Sequence, residues 1–143
     1  MNFRAWRYED IKAIEQIERA SFTDPWNFQM FADSFFNEAF VSILAEDNGK
    51  VVAYGGAYCV YETGDIMNIA VDEAYQKRGV ARKMLDELCF TAKQRGVERM
   101  TLEVRVSNRN AIVLYSRYGF VGLYCRTRYY ADGEDAIVME LKL

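Results

Sequence analysis

The chain has 143 residues, of which 51% are hydrophobic, and a formal net charge of −3. This length fits one domain, residues 1–143, that buries most of the surface its unfolded form exposes. The negative charge argues against a protein that follows the phosphate backbone of a nucleic acid. No apolar window is long enough to cross a membrane and residues 1–7 lack the apolar core of a secretory signal, so we expect a cytoplasmic protein.

Histidine is absent, and the chain has three cysteines, Cys59, Cys89 and Cys125. The cysteines are odd in number and widely spaced, so they predict neither a disulfide framework nor a zinc site. Without histidine there is no Cys-His or Ser-His nucleophile pair, and we expect no metal. Any general base must therefore be a carboxylate, a tyrosine or a less usual group.

The first 36 residues predict a strand and two helices. Residues 3–8 alternate in polarity as in a strand, and Glu9-Asp10 opens a helix in which isoleucines recur every third position and Ala20 continues the apolar stripe. Asp24 and Pro25 predict the start of the second helix, with Asp24 as the N-cap and Pro25 at the first helical position. The many aromatic residues in 26–36 fit either a packed helix face or a wall of a substrate groove.

A β-hairpin and a buried strand follow. Residues 41–46 and 51–61 flank Asp47-Asn48-Gly49-Lys50, in which Asn-Gly supplies the positive φ angles of a tight turn. Gly55-Gly56 in the second arm predicts a bulge or a bend. Residues 66–71 are a nearly continuous apolar run, which is typical of a strand covered on both faces.

A short basic turn then leads into a long amphipathic helix that ends near Gly96. Four basic residues and no acid lie between residues 76 and 83: Lys77, Arg78, Arg82 and Lys83. The first turn of a helix has backbone N–H groups without internal partners and a partial positive charge. Gly79 also lets the backbone approach a ligand closely. This stretch therefore predicts a phosphate site, although an ordinary helix start with a solvated basic face remains the alternative.

The last third predicts a strand, a helix and a closing pair of strands. Residues 99–106 alternate, and Ser107-Asn108 can cap a helix that runs to Tyr118. Residues 120–130 and 136–143 form two strands around a turn at Asp132-Gly133. The element order β-α-α-β-β-β-α-β-α-β-β predicts an α/β (α+β) domain with a mixed sheet and helices on its faces.

Residues 76–81 read Gln-x-x-Gly-x-Ala after an apolar strand and an acidic turn. This run resembles the pyrophosphate loop of the GCN5-related N-acetyltransferases (GNAT), and the element order also matches that superfamily. Within it, the chain resembles the bacterial RimI-type protein N-terminal alanine acetyltransferases. The matching segments are Asn68-Ile69-Ala70-Val71, residues 76–82, Leu102-Glu103-Val104-Arg105, Ser107-Asn108, Ala111-Ile112, Leu114-Tyr115, Gly119-Phe120, Tyr129-Tyr130 and Gly133-Glu134-Asp135-Ala136.

The resemblance implies a GNAT fold with a mostly antiparallel sheet, acetyl-CoA as cosubstrate, and a role for each matched residue. Glu103 would be the proton acceptor and Tyr115 the proton donor to the coenzyme A thiolate. The cofactor would be held by Ile69, Ala70, Val71, Lys77, Arg78, Gly79, Val80, Ala81, Arg82 and Asn108. Taken without the resemblance, Glu103 is a solvated strand carboxylate and Tyr115 belongs to a buried helix stripe.

The acetyl acceptor implied by the resemblance is the N-terminal alanine of a ribosomal or other protein, and a monomer is favoured. Tyr129, Tyr130, Glu134 and Asp135 could line a groove for a basic peptide, or the acidic turn could simply be solvated. Two other functions stay open at this point. One is the same chemistry on a small amine or a lysine side chain, and the other is a non-catalytic module that binds coenzyme A.

Overall fold

The computed structural model describes residues 1–143 and contains seven strands and four helices. The strands are β1 Asn2–Arg4, β2 Phe40–Asp47, β3 Lys50–Val60, β4 Thr63–Val71, β5 Arg99–Arg105, β6 Val121–Arg126 and β7 Ala136–Lys142. The helices are α1 Ile11–Ser21, α2 Phe28–Phe35, α3 Val80–Gln94 and α4 Arg109–Tyr118. The predicted element order and fold class are confirmed. None of the four helices combines the length and the apolarity needed to span a bilayer.

The strands form one seven-stranded sheet in the order β1-β2-β3-β4-β5-β7-β6. Every neighbouring pair is antiparallel except β4 and β5, which are parallel. That parallel pairing covers only Thr63 with Arg99, Gly64 with Met100 and Asp65 with Thr101. Beyond these pairs β4 stays bonded to β3 and β5 stays bonded to β7. The sheet therefore divides into two halves at its centre.

The β2–β3 hairpin turns at Asn48 and Gly49, whose φ angles are 51° and 81°. Both values lie in the left-handed region that this tight turn requires, so the predicted turn is confirmed. A register shift between Gly56 and Ala57 places a bulge where β3 meets β4, which confirms the prediction from Gly55-Gly56. Gly56 has a second role, because a Cβ there would lie 2.1 Å from the ring of Phe40. The missing side chain of Gly56 thus makes room for an aromatic ring.

Apolar side chains fill both faces of the sheet. Helices α1 and α2 cover one face, where Ile11, Ile14 and Phe31 pack with Trp6 and Tyr54. Helices α3 and α4 cover the other face with two clusters, and their main buried residues are Val80, Met84, Leu85, Leu88, Met100, Leu102 and Tyr115. Because side chains alternate along β5, the half-buried members Thr101, Glu103 and Arg105 point to the α1–α2 face.

The predicted start of the second helix at Asp24 and Pro25 is wrong. Helix α2 begins at Phe28, and the N-cap is Asn27, whose side chain accepts a hydrogen bond from the Met30 N–H. The reason is a set of tertiary hydrogen bonds that changes where the helix can begin. Carboxylates of α1 accept backbone N–H groups just before α2 and at its first residue: Glu18 accepts from Trp26 at 2.9 Å and Glu15 accepts from Phe28 at 2.9 Å. These bonds hold the preceding segment in a non-helical path.

Two predicted strands are longer than the observed ones. The first ends at Arg4 rather than residue 8, because Trp6 turns into the core and donates its indole N–H to the Ile43 carbonyl at 2.9 Å. The chain then forms a short 3₁₀ turn at Tyr8–Asp10. Strand β6 ends at Arg126 rather than residue 130. The residues that follow form the loop that carries Tyr129 and Tyr130.

Candidate active site

The opening between β4 and β5 forms a cavity of about 280 Å³. Beyond the last parallel pair the two strands have no common hydrogen bonds, so their side chains and backbone face one another across a gap. Residues 66–69 of β4 and 102–105 of β5 line it, together with parts of the α1–α2 segment, α4 and the β6–β7 loop. The division of the sheet is thus what creates this cavity.

A larger groove of about 1470 Å³ lies beside it, between β4 and the N-termini of α3 and α4. It is lined by nine of the ten residues predicted to hold the cofactor: Ile69, Ala70, Val71, Lys77, Gly79, Val80, Ala81, Arg82 and Asn108. Arg78 is the exception, since its guanidinium stacks on Tyr75 at 5.2 Å from the ring centroid. Ile69, Asn108, Ala111 and Tyr115 border both spaces. The cavity and the groove therefore meet.

The turn before α3 has the backbone shape of an anion site. Gly79 is the N-cap of α3 with φ 78°, and Lys77 is also left-handed with φ 61°. A Cβ on Gly79 would meet nothing within 4 Å, so glycine is favoured there by its backbone angle and not by crowding. Gln76 secures the turn, because its side-chain amide donates to the Val71 carbonyl at 3.0 Å. The first N–H groups of α3 are left for a ligand.

The basic side chains around this turn form no ion pair with an acid of the chain. Arg82 stacks on Tyr118 at 5.4 Å from the ring centroid. At the head of α4, Asn108 accepts a hydrogen bond from the Ala111 N–H at 3.2 Å and so acts as the N-cap. Two helix N-termini and uncompensated positive charge therefore border the same groove, which suits an elongated anionic ligand.

Glu103 lies in the smaller cavity with 20% of its side chain exposed. Burial raises the pKa of this carboxyl, and the neighbouring Asp65 carboxylate raises it further. The cation Arg126 opposes the rise, with its Nε 3.8 Å from Glu103 Oε1. A carboxylate with a raised pKa and only one distant cation partner can accept a proton from a substrate.

Tyr115 lies across the same cavity on α4, 8% exposed, with its ring in edge contact with Phe120. Burial, followed by the nearby Tyr130, raises the pKa of Tyr115 to about 12. The phenol is therefore protonated at neutral pH and available as a donor to a more basic group. The structure brings Glu103 and Tyr115 to one cavity although they come from a strand and a helix.

The residues predicted to form an acceptor groove divide into two groups. Tyr130 lines the smaller cavity, and the guanidinium of Arg105 stacks on its ring at 4.0 Å from the centroid. Glu134 instead accepts hydrogen bonds from Arg105 and from the Ser107 N–H, both at 2.9 Å. Asp135 accepts the Arg128 N–H at 2.8 Å. The two carboxylates thus shape the β6–β7 loop, and the tyrosine faces the cavity.

Trp26 lines the cavity, in agreement with the alternative that aromatic residues in 26–36 form a wall of a substrate groove. Other lining residues were missed by the sequence reasoning: Glu18, Phe22, Thr23, Asp24 and Met67. A signal existed for Glu18, because it falls four residues after Ile14 and seven after Ile11, on the apolar face of α1. An acid at such a position is buried and must be satisfied by donors. The irregular residues 22–24 carry no periodic pattern, so no comparable signal pointed to them.

Comparison with known proteins identifies the class. Residues 11–120 match the sequence profile of the Acetyltransferase (GNAT) family. The chain therefore belongs to this family and is an acetyl-CoA-dependent acetyltransferase. Its groove suits that cosubstrate, since both the basic turn and the two helix N-termini face it.

Relatives of the RimI type are similar over nearly the whole chain. The chain is 37% identical to the [ribosomal protein bS18]-alanine N-acetyltransferase of Escherichia coli strain K12, over 94% of this chain and 92% of the relative. The crystal structure of the ribosomal-protein-S18-alanine N-acetyltransferase from Escherichia coli superposes with a TM-score of 0.90 at 35% identity, covering 99% and 92% of the two chains. Ard1 from Thermoplasma volcanium superposes with a TM-score of 0.92 at 26% identity, covering 99% and 97%.

Proposed function

We propose that this protein transfers the acetyl group of acetyl-CoA to the α-amine of an N-terminal alanine on a ribosomal protein. The Escherichia coli relatives that cover this chain are named for that acceptor. The observation that carries the proposal is the meeting of Glu103 and Tyr115 in one cavity, next to the groove with the basic turn. A ribosomal acceptor would place the reaction in the cytoplasm.

The groove and the cavity would divide the substrates between them. Lys77 and Arg82, with the N–H groups of Gly79, Val80 and Ala81, would hold the pyrophosphate of acetyl-CoA. Backbone groups of Ile69–Val71 would pair with its pantetheine arm as an added strand does, and Asn108 would contact it at the head of α4. The thioester would then lie where groove and cavity meet, and the acceptor would enter from the cavity side.

Direct transfer needs one proton removed and one supplied. A protein α-amine has a pKa of roughly 7.7 to 8.0, so a useful fraction is neutral at pH 7 and a modest base suffices. The amine nitrogen forms the new C–N bond, and its extra proton passes to Glu103, directly or through water. As the C–S bond breaks, the phenol of Tyr115 protonates the leaving thiolate. Burial favours the protonated phenol that Tyr115 needs as a donor. Glu103 starts as the carboxylate, and its raised pKa makes that carboxylate a stronger proton acceptor.

The test is acetyl-CoA turnover, followed by thiol release, on peptides that begin with Ala, Ser, Met or acetyl-blocked Ala. We expect turnover on the free Ala peptide and none on the blocked one, because only a free α-amine can attack. Turnover on a lysine side chain of the blocked peptide, or on small amines alone, would contradict the proposed acceptor. Tight acetyl-CoA binding with no turnover on any acceptor would favour a non-catalytic module.

A further inference from the structure

Glu18 is a buried acid that the proposed chemistry does not use. It lies near the C-terminal end of α1 with 1% of its surface exposed, yet it borders the smaller cavity. Burying a carboxylate costs free energy unless donors replace the lost water. The hydrogen bonds of Glu18 therefore indicate its structural role.

Three donors from three parts of the fold surround this carboxylate. Its Oε2 accepts the backbone N–H of Trp26 at 2.9 Å, and its Oε1 accepts the hydroxyl of Tyr54 and the side-chain amide of Asn68, the latter at 3.1 Å. Trp26 belongs to the α1–α2 segment, Tyr54 to β3 and Asn68 to β4. With its acceptor sites taken by protein donors, Glu18 is not free to accept a proton from a substrate.

The segment that Glu18 holds faces the acceptor side of the site. Phe22, Thr23, Asp24 and Trp26, which we call the acceptor wall, all line the smaller cavity. Only Phe22 among them also borders the larger groove, where the cofactor residues lie. Asn68, on the other side of the Glu18 carboxylate, directly precedes Ile69 on the strand that borders both spaces. Glu18 thus ties the acceptor wall to the strand beside the thioester position.

We propose that Glu18 is a positioning residue for the acceptor: it fixes the acceptor wall against β4 and so sets the width of the cavity that receives the first residue of the peptide. This inference rests on the proposed function, since it needs an acceptor that enters the cavity. A cavity of about 280 Å³ whose wall is held in place can select the first side chain of the peptide by size.

The first test is Glu18→Gln, with KM measured separately for an Ala peptide and for acetyl-CoA. The substitution removes the charge that strengthens all three bonds and replaces one acceptor oxygen with an N–H donor, so the link between the acceptor wall and β4 weakens. We expect the peptide KM to rise about tenfold, the change that follows from one lost hydrogen bond to a charged group, while the acetyl-CoA KM stays within about twofold. The preference for Ala over Met peptides, taken from kcat/KM, should shrink.

Glu15→Gln is the matched control. Glu15 lies one turn earlier on α1 and also accepts a backbone N–H, that of Phe28 at 2.9 Å, but it does not line the cavity. Its substitution by Gln removes the same charge as Glu18→Gln. We expect its peptide KM to stay near that of the wild type. A rise equal to that of Glu18→Gln would mean that any loosening of α1 suffices, and would overturn the specific role of Glu18.

Tyr54→Phe tests the positioning role of Glu18 if Glu18→Gln does not fold. It removes one donor to Glu18 from a side chain that does not line the cavity, so a direct contact with the peptide is excluded. A selective rise in peptide KM supports the proposal. An unchanged peptide KM in folded variants, or an equal rise for peptide and acetyl-CoA, overturns it.

Wild-type protein that acts on no free peptide would overturn the proposed function and this inference together. Wild-type turnover combined with an unchanged peptide KM in the variants would overturn this inference alone.

Discussion

Two carboxylates border the same cavity, and their surroundings differ both in hydrogen-bond donors and in depth. Glu18, on the wall formed by α1 and the α1–α2 segment, accepts hydrogen bonds from Trp26, Tyr54 and Asn68. Glu103, on the β5 wall, has a single cation at 3.8 Å and a like charge nearby in Asp65. Burial raises the pKa of both groups.

This difference shows that the number of hydrogen-bond donors, and not burial alone, determines whether a buried acid links chain segments or exchanges a proton. A carboxylate whose oxygens are all engaged serves as a fixed joint between chain segments. A carboxylate with an open oxygen and a raised pKa can exchange a proton. Substitutions at the two positions should therefore fail in different ways, one in structure and acceptor binding, the other in turnover.

The largest effect is expected for Glu103→Gln. The amide cannot accept the amine proton, so kcat should fall by about 10²- to 10⁴-fold. Acetyl-CoA binding, measured by calorimetry, should be unchanged because the basic turn is untouched. A kcat within threefold of wild type would show that Glu103 is not the base. Glu103 and Glu18 would then differ only in how they are packed and bonded.

Tyr115→Phe should follow, with kcat lower by about 10²-fold, because the departing thiolate loses its proton donor. Tyr118→Phe is the matched control on the same helix. Tyr118 donates to Asp86 at 2.7 Å and does not line the smaller cavity. We expect the control to keep most of its turnover. Equal losses in the two variants, measured at saturating substrates, would assign the effect to the packing of α4.

The free energy of unfolding should rank the two acids in the reverse order, with Glu18 contributing more than Glu103. Glu18→Ala leaves three buried donors unpaired and opens a void, so unfolding in urea should become easier by about 2–4 kcal/mol. Glu103→Ala removes a partly exposed side chain whose nearest cation is 3.8 Å away, and should cost less than about 1 kcal/mol. Comparable losses from both substitutions would show that Glu103 is as firmly bonded as Glu18.

The smallest effect is a pair of opposed shifts in the pH profile. The Asp65 carboxylate raises the pKa of Glu103, so Asp65→Asn should lower that pKa and extend activity to lower pH. Arg126 lowers the pKa of Glu103, so Arg126→Gln should move the acidic limb of kcat/KM to higher pH. The acceptor amine is the same in both assays, so its titration cancels. Shifts in one common direction would mean that the limb belongs to another group.

Parts of the molecule that local chemistry determines were predictable from the sequence. Asn48-Gly49 determines a tight hairpin, and the alternation along 99–106 predicted the strand β5 that carries Glu103. The basic turn was recognisable because it combines an apolar strand, Gly79 and an amphipathic helix within one short stretch. Each of these signals needs only neighbouring residues.

The acceptor side was not predictable in the same way, because distant segments build it. Asp24 and Pro25 have the composition of a helix start, but Glu18 and Glu15 capture the N–H groups that follow and Asn27 becomes the cap. The interaction of α1 with this segment thus overrides the local preference. Likewise Glu134 and Asp135 look like a peptide-binding acidic patch, yet Arg105 and backbone N–H groups occupy them.

Only three residue pairs join β4 to β5, at the beginning of each strand. Beyond these pairs β4 keeps a ladder with β3 only and β5 keeps one with β7 only, so the two facing edges carry backbone groups without a strand partner. Asn68 and Glu103 lie in this unpaired part of β4 and β5. An extended ligand in the gap can therefore hydrogen-bond as a strand does, so the interior of the sheet offers a ligand the pairing that other sheets offer only at their outer edges.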